Sequence, residues 1–161
     1  MIILGIDPGY SRTGYAILDA DKKRKPCLRA SGVIETPATD DFPARLLQLC
    51  TEFRAIINEH KPDDMALEEL FWSKNAKTAI GVAQARGALI ATAAELGLNV
   101  AEYSPTTLKL GLTGSGAAAK GQVRFMVEKI LDIAPGSKRL DDEFDALALA
   151  LLHTMQKGLM L

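Results

Sequence analysis

The sequence predicts a mixed α/β fold, and three observations predict it. An apolar run opens the chain, two short strands follow it with connections too brief for a crossover, and from Pro43 onward helical periodicity alternates with short apolar strands. The first run, Ile2 to Asp7, carries no charge until it reaches a carboxylate, and the turn formers Pro8 and Gly9 close it. Such a run is the mark of a buried central strand.

Thr13 to Leu18 reads as the second strand and Cys27 to Ile34 as the third, an antiparallel meander. Between them Asp19 to Pro26 carries Lys22, Lys23, Arg24 and Lys25, read most simply as a solvated hairpin tip. Pro43 sits just inside a helix whose apolar positions, Leu46, Leu47, Leu49, Phe53, Ile56 and Ile57, recur at helical spacing until Pro62. Met65 to Trp72 follows as a strand, and a strand reached through a helix runs parallel to the earlier one. Glu68 or Glu69 would then lie beside Asp7, since strand side chains alternate faces; periodicity does not choose between them.

An alanine-rich helix runs from Lys74 to Leu96, with Gly81 and Gly87 permitting close approach of another element and Gly97 ending it. Its small residues suit packing on the sheet and contact with a second subunit equally. Leu98 to Tyr103 reads as the fifth strand, and Ser104-Pro105-Thr106 starts a short helix carrying Lys109. A loop over Gly111 to Gly116 leads to a helix from about Ala117 to Ile133 with Lys120 and Arg124, and Asp141 to Gln156 forms the last helix. Its apolar stripe is Phe144, Leu147, Ala148, Leu151, Leu152 and Met155.

At 161 residues the chain reads as one domain over 1–161, with 48% hydrophobic residues and enough length for a proper core. Cys27 and Cys50 form neither a disulfide framework nor a zinc spacing. No apolar run approaches the ~20 residues of a membrane span, so the expectation is a soluble, cytoplasmic protein with no membrane partner. Net charge is −1, but it is unevenly spread: residues 1–73 hold 9 Lys/Arg and 12 Asp/Glu, 74–140 hold 9 and 4, and 141–161 hold 1 and 4. A basic middle between acidic ends suits a polyanion brought to a metal site, although helix surfaces are commonly charged without such a purpose.

The acidic places carry the chemistry. Asp7 ends a buried strand, where ionisation needs a cation, donors or a metal. In the last helix Asp142 and Asp145 are three apart and project from one side of the first turns. Acids at a helix start also complement the macrodipole, which accounts for Asp141 or Asp142 but not for Asp145, one turn in and bordering the apolar stripe. Carboxylates converging from Asp7, Glu68 or Glu69, Asp142 and Asp145 need a counter-charge, and hard oxygen donors select Mg²⁺ or Mn²⁺. Two such ions about 4 Å apart would hold an attacking water and a leaving oxygen across a phosphodiester. Gly111 to Lys120 lacks the Gly-Lys-Ser/Thr of a Walker loop, and no Gly-x-Ser-x-Gly elbow occurs. His60 and His153 read as structural or solvent-facing.

Several motifs together are recognisable: Gly5-Ile6-Asp7-Pro8-Gly9 with Thr13-Gly14-Tyr15, Leu67 to Phe71 with Lys74-Asn75, and Gln84-Ala85-Arg86-Gly87. Tyr103-Ser104-Pro105, Lys109, Thr113 to Gly116, Lys120 to Val123 and Asp142 to Ala146 continue the series. In this order, over nearly the whole chain, they resemble the RuvC family of crossover (Holliday) junction endonucleases. The resemblance implies a ribonuclease H-like fold with sheet order 3-2-1-4-5 and strand 2 antiparallel. It implies a homodimer that nicks opposing strands of four-way junction DNA in recombination and repair, working with a branch-migration motor. By position, the metal-binding and catalytic carboxylates would be Asp7, bridging two ions, Glu68, Asp142 and Asp145. Phe71 falls where the family stacks an aromatic on an unpaired junction base; core or interface packing is the alternative for Phe71 and Trp72. Lys74, Asn75, Lys109 and Lys120 would contact DNA, the last two near the scissile phosphate.

Two rival readings stand beside this one. The opening Asp7-x-Gly9 with Gly14 is also similar to the phosphate loop of actin-like ATPases, which need a second lobe. A non-catalytic junction-binding module, with its acids serving only as caps, is the other.

Overall fold

The computed structural model describes residues 1–69 and 76–159. Five strands form one sheet in the order β3-β2-β1-β4-β5. They are β1 (Ile2–Asp7), β2 (Arg12–Asp21), β3 (Arg24–Glu35), β4 (Asp64–Glu68) and β5 (Asn99–Tyr103). β1, β2 and β3 pair antiparallel, while β4 runs parallel to both β1 and β5. The helices are α1 (Phe42–His60), α2 (Ala76–Glu95), α3 (Pro105–Thr113), α4 (Lys120–Ile130) and α5 (Asp141–Gln156). The mixed sheet and its strand order match the expectation.

Alternation along the central strands sorts the side chains onto two cores. Ile3, Ala16 and Leu18 pack with Leu147, Ala150 and Leu151 of α5 and with Val123 and Val127 of α4. Leu4, Ile6, Met65 and Leu67 pack on the opposite face with Leu49 and Phe53 of α1 and with Ala85 and Leu89 of α2. Asp7, two residues beyond Gly5 and four beyond Ile3, therefore belongs to the α5 face, and so does Glu68, one residue past Leu67. Glu69 lies past the end of β4 and is exposed. The choice between the two glutamates that spacing left open is made by which face Leu67 fills.

α5 sits unusually close to this face. A Cβ on Gly5 would run into the carbonyl of Ala146, and one on Gly14 into the carbonyl of Asp142. Gly14 is the residue opposite Asp7 in the β1–β2 register. The two glycines let the start of α5 lie against the sheet, and α5 is accordingly buried nearly all round, from Phe144 and Ala146 through Thr154, rather than along a stripe.

Several boundaries differ from the sequence expectation for physical reasons. β2 and β3 extend through the basic segment, so only Lys22 and Lys23 form the turn; Arg24 pairs with Asp19 at 2.8 Å and Lys25 with Asp132 at 2.9 Å. α3 runs through Gly111 to Thr113 and is closed by Gly114 in the left-handed region, φ 79°. The expected loop is thus confined to the residues after that cap, and α4 begins at Lys120 with Gln122 closing on the Ala119 N–H. β4 stops at Glu68, and Leu70 to Trp72, expected to continue it, lie outside the described residues. A Cβ on Gly87 would meet nothing within 4 Å among the described residues, whereas one on Gly81 would run into the Tyr10 ring. α5 spans the expected residues.

Candidate active site

Three elements bring carboxylates to one end of the sheet. Asp7 closes β1, Glu68 closes the neighbouring parallel strand, and Asp142 and Asp145 stand in the first turns of α5 above them. The turn after Asp7 is held by Thr13, wholly buried, whose hydroxyl donates to the Gly9 carbonyl at 2.6 Å and accepts from the Gly9 N–H at 3.2 Å. That staple fixes where β1 ends and hence where its carboxylate points.

The electrostatics follow from this crowding. Burial first, and then the charges of Asp145, Asp142 and Glu68, push the Asp7 carboxyl up to about 7; Lys120 offsets only part of that rise. Glu68 is raised by burial and by Asp145, with Lys120 and Lys109 acting in the other direction. Lys120 Nζ lies 2.7 Å from Asp145 Oδ2. Although burial works against its charge, the hydrogen bond to Asp145 and the fields of Asp145, Asp141 and Asp7 hold the ammonium above its ordinary pKa.

Asp142 is the least satisfied of the four. Arg12 Nε stands 3.0 Å from Asp142 Oδ2, yet at an angle that makes no hydrogen bond, so this buried oxygen has no donor among the described residues. As they stand, no three acidic, histidine or cysteine side chains among the described residues form a group that would hold one ion. The carboxylates are instead countered in pairs, Asp145 by Lys120 and Asp142 by Arg12.

Beside the carboxylates lies a cavity of about 240 Å³ lined by Glu68, Lys109, Lys120 and Asp145 on its polar side and by Pro105, Leu108, Val123 and Leu149 on its apolar side. Lys109 projects from α3 and Lys120 from the first turn of α4, so two cations from different helices face the same acids. Of the residues that sequence reasoning singled out, the fold gathers Asp7, Glu68, Asp142, Asp145, Lys109 and Lys120. Phe71, Trp72, Lys74 and Asn75 lie outside the described residues. Asp141 and Glu143 have local roles: Asp141 is 3.7 Å from Lys120, while Glu143 accepts from Ser31 at 2.6 Å and pairs with Arg139 at 3.0 Å. Sequence reasoning missed Arg12, whose signal was its place just past the Asp7-Pro8-Gly9 turn.

Residues 3–153 match the family described as "Crossover junction endodeoxyribonuclease RuvC". The chain belongs to the RuvC family. A RuvC of that description from Syntrophomonas wolfei is 46% identical over 153 residues, covering 95% of this chain and 88% of the relative. One from Caldicellulosiruptor saccharolyticus is 41% identical over 158 residues, covering 98% and 95%. Among solved structures, Thermus thermophilus RuvC in complex with a Holliday junction substrate superposes with a TM-score of 0.91 at 30% identity, covering 98% of this chain and 95% of that one. The ribonuclease H-like architecture expected from the motifs is therefore the RuvC fold, and the family's named activity is endonucleolytic cleavage of DNA at crossover junctions. No helix among the described residues is long and apolar enough to cross a membrane.

Proposed function

We propose that this RuvC-family chain, one nuclease domain over 1–161 acting in the cytoplasm, resolves four-way DNA junctions by paired symmetric nicks made as a homodimer with two divalent ions per site. The single observation that carries the reading is that β1, β4 and α5 deliver Asp7, Glu68, Asp142 and Asp145 to one end of the sheet, with Lys109 and Lys120 facing them.

The residues fit divalent ions of the hard kind. Every candidate donor is a carboxylate oxygen, one of them, Asp142 Oδ2, is buried without a donor among the described residues, and burial, with the neighbouring acids, pushes the Asp7 carboxyl up to about 7. Asp7 would bridge the ions, with Glu68 and Asp145 completing the two shells and Asp142 holding one ion or its water. When bound, Mg²⁺ or Mn²⁺ supplies an activated water and neutralises the leaving 3′-oxygen. The chain's own residues do the rest. Lys120 and Lys109 place positive charge on the phosphoryl oxygens as negative charge develops, and Arg12 steadies Asp142 from the outer side. Leu108, Val123 and Leu149 wall one side of the cleft with apolar surface, which strengthens each charge interaction inside it.

Phe71 is the residue this reading gives to stacking on an unpaired base at the crossover, an interaction worth about 1–3 kcal/mol. Lys74 and Asn75 would meet the backbone beside it, and a branch-migration motor is the partner that would deliver the junction. The test is a mobile synthetic four-way junction incubated with Mg²⁺, Mn²⁺ or chelator and read on a denaturing gel. Symmetric paired nicks with 5′-phosphate and 3′-hydroxyl ends, seen only with metal, are expected. Junction binding of equal affinity with and without metal, accompanied by no product, would favour the non-catalytic module instead.

A further inference from the structure

Arg86 lies in the Gln84-Ala85-Arg86-Gly87 stretch of α2, on the face of the sheet opposite the acidic site. Its Nε donates to the main-chain carbonyl of Glu68 at 3.3 Å, and its terminal NH2 pairs with the carboxylate of Glu102 on β5. Its side chain is only 14% exposed, so the guanidinium is held rather than free.

The sequence explains why the Glu68 carbonyl needs a side-chain donor. The Glu69 N–H goes to the Tyr103 carbonyl on β5 at 2.9 Å. The peptide between Glu68 and Glu69 is trans, so its C=O points the opposite way, toward β1. There the parallel ladder would offer the N–H of the residue after Asp7, and that residue is Pro8, which has none. The turn that ends β1 at Asp7 thus deprives the neighbouring strand of a bond at the very residue carrying the second carboxylate. Among the described residues, the donor that makes up the loss is Arg86.

We infer that Arg86 is a positioning residue for metal binding: it replaces the hydrogen bond that Pro8 cannot give, and through Glu102 locks the end of β4 to β5 so that the Glu68 carboxylate faces Asp7. This rests on the metal reading proposed above. In this role Arg86 meets neither the phosphodiester nor the ions, and acts through the peptide of Glu68. A planar fork suits the task, since one edge serves the carbonyl while the other is anchored on Glu102; a lysine could serve one of the two.

The experiment is calorimetric titration of the DNA-free protein with Mn²⁺, on wild type, Arg86→Met, Arg86→Lys, Glu102→Gln and Asp7→Asn, with junction affinity measured in chelator and melting temperature recorded for each. Residues that orient metal ligands from behind typically alter affinity about 10- to 100-fold when removed. Arg86→Met should weaken Mn²⁺ by about that factor, with Arg86→Lys and Glu102→Gln between it and wild type. Junction affinity in chelator should stay within about twofold of wild type, as expected for a group that contacts no DNA. Mn²⁺ affinity unchanged in both Arg86→Met and Glu102→Gln, while Asp7→Asn abolishes binding, overturns the positioning role and leaves the metal site standing. Wild type that binds no Mn²⁺ overturns both. If Arg86→Met fails to fold, Glu102→Gln decides by the same criterion.

Discussion

Lys120 Nζ and Asp145 Oδ2 are 2.7 Å apart, joining the first turn of α4 to the second turn of the helix that carries half of the acidic site. The same ammonium acts on Asp7 and Glu68, so a single side chain supplies positive charge to three of the four carboxylates. Positive charge aimed at developing phosphoryl charge is worth more in a walled cleft than in water.

Lys120→Met should therefore cut the nicking rate by about 10²–10³, the usual cost of losing one preorganised electrostatic partner. Single-turnover cleavage of a synthetic junction checks it, with binding in chelator measured alongside. A rate within threefold of wild type would remove Lys120 from the chemistry.

Asp7 gives a pH prediction for the chelated protein. Its folded pKa, about 7, lies above its ordinary 3.8, so the folded state grips the proton more tightly than the unfolded chain between those values. Stability is lost as pH rises from about 4 to about 7, by a sum on the order of 2–4 kcal/mol. Asp7→Asn removes that penalty. In chelator at pH 8 the variant should melt several degrees above wild type, at about 2–4 °C per kcal/mol, with the gap closing toward pH 4. Differential scanning fluorimetry across that range reads it directly, and equal melting temperatures at pH 8 would contradict the strain assigned to Asp7.

Much of this was legible in the sequence because the strongest signals were local. Ile2 to Asp7 could hardly be anything but a buried strand, and the α5 boundaries came from its stripe and acidic start. What escaped was decided by tertiary partners. The basic residues after Asp21 looked like a solvated tip, but Asp19 and Asp132 pair with two of them and let the strands run on. Gly111 read as a loop residue, yet it sits in α3, where Leu152 of α5 fills the place a side chain would need. Glu68 was distinguished from Glu69 by resemblance rather than by spacing; the reason lies in Leu67 filling the α1–α2 core. Four acids meeting at a point were expected, whereas Arg12 and Lys120 each take one of them aside.

His153, read as structural or solvent-facing, is buried and links Asp64, at the opposite end of β4 from Glu68, to Tyr103. Its Nε2 is 2.8 Å from Asp64 Oδ2 and its Nδ1 2.6 Å from the Tyr103 hydroxyl, while Asn99 and Lys157 also donate to Asp64, each at 2.8 Å. Burial alone would raise the Asp64 carboxyl, but the bonds from Lys157, His153 and Asn99 outweigh it and bring it down to about 2. A depressed acid contributes its stability above the unfolded value of 3.8 and loses it as pH falls through the folded one. The contribution is about 2 kcal/mol, lost between about pH 4 and pH 2. Asp64→Ala leaves His153 and Asn99 without their acceptor and should cost about 3–5 kcal/mol at pH 7, and less at pH 2.5. Urea unfolding at the two pH values measures both.

Gly14→Ala tests the close approach that brings α5 to Asp7. The added methyl would strike the Asp142 carbonyl, a backbone atom that cannot step aside without moving the helix. We expect a loss of about 1–3 kcal/mol in stability. Nicking should fall further than the lost stability explains, because Asp142 and Asp145 move with the first turns of α5. Thermal melting and the junction assay on the same preparation separate the two effects.

Anomalous diffraction from crystals soaked in Mn²⁺ asks whether Asp7, Glu68, Asp142 and Asp145 hold divalent ions between them. A Mn²⁺ peak is expected within about 2.5 Å of an Asp7 oxygen, with Glu68, Asp142 or Asp145 as its other protein ligands and the Lys120 ammonium withdrawn from Asp145. Crystals in which saturating Mn²⁺ leaves no peak near Asp7, from protein that still nicks junctions in that buffer, would contradict that expectation.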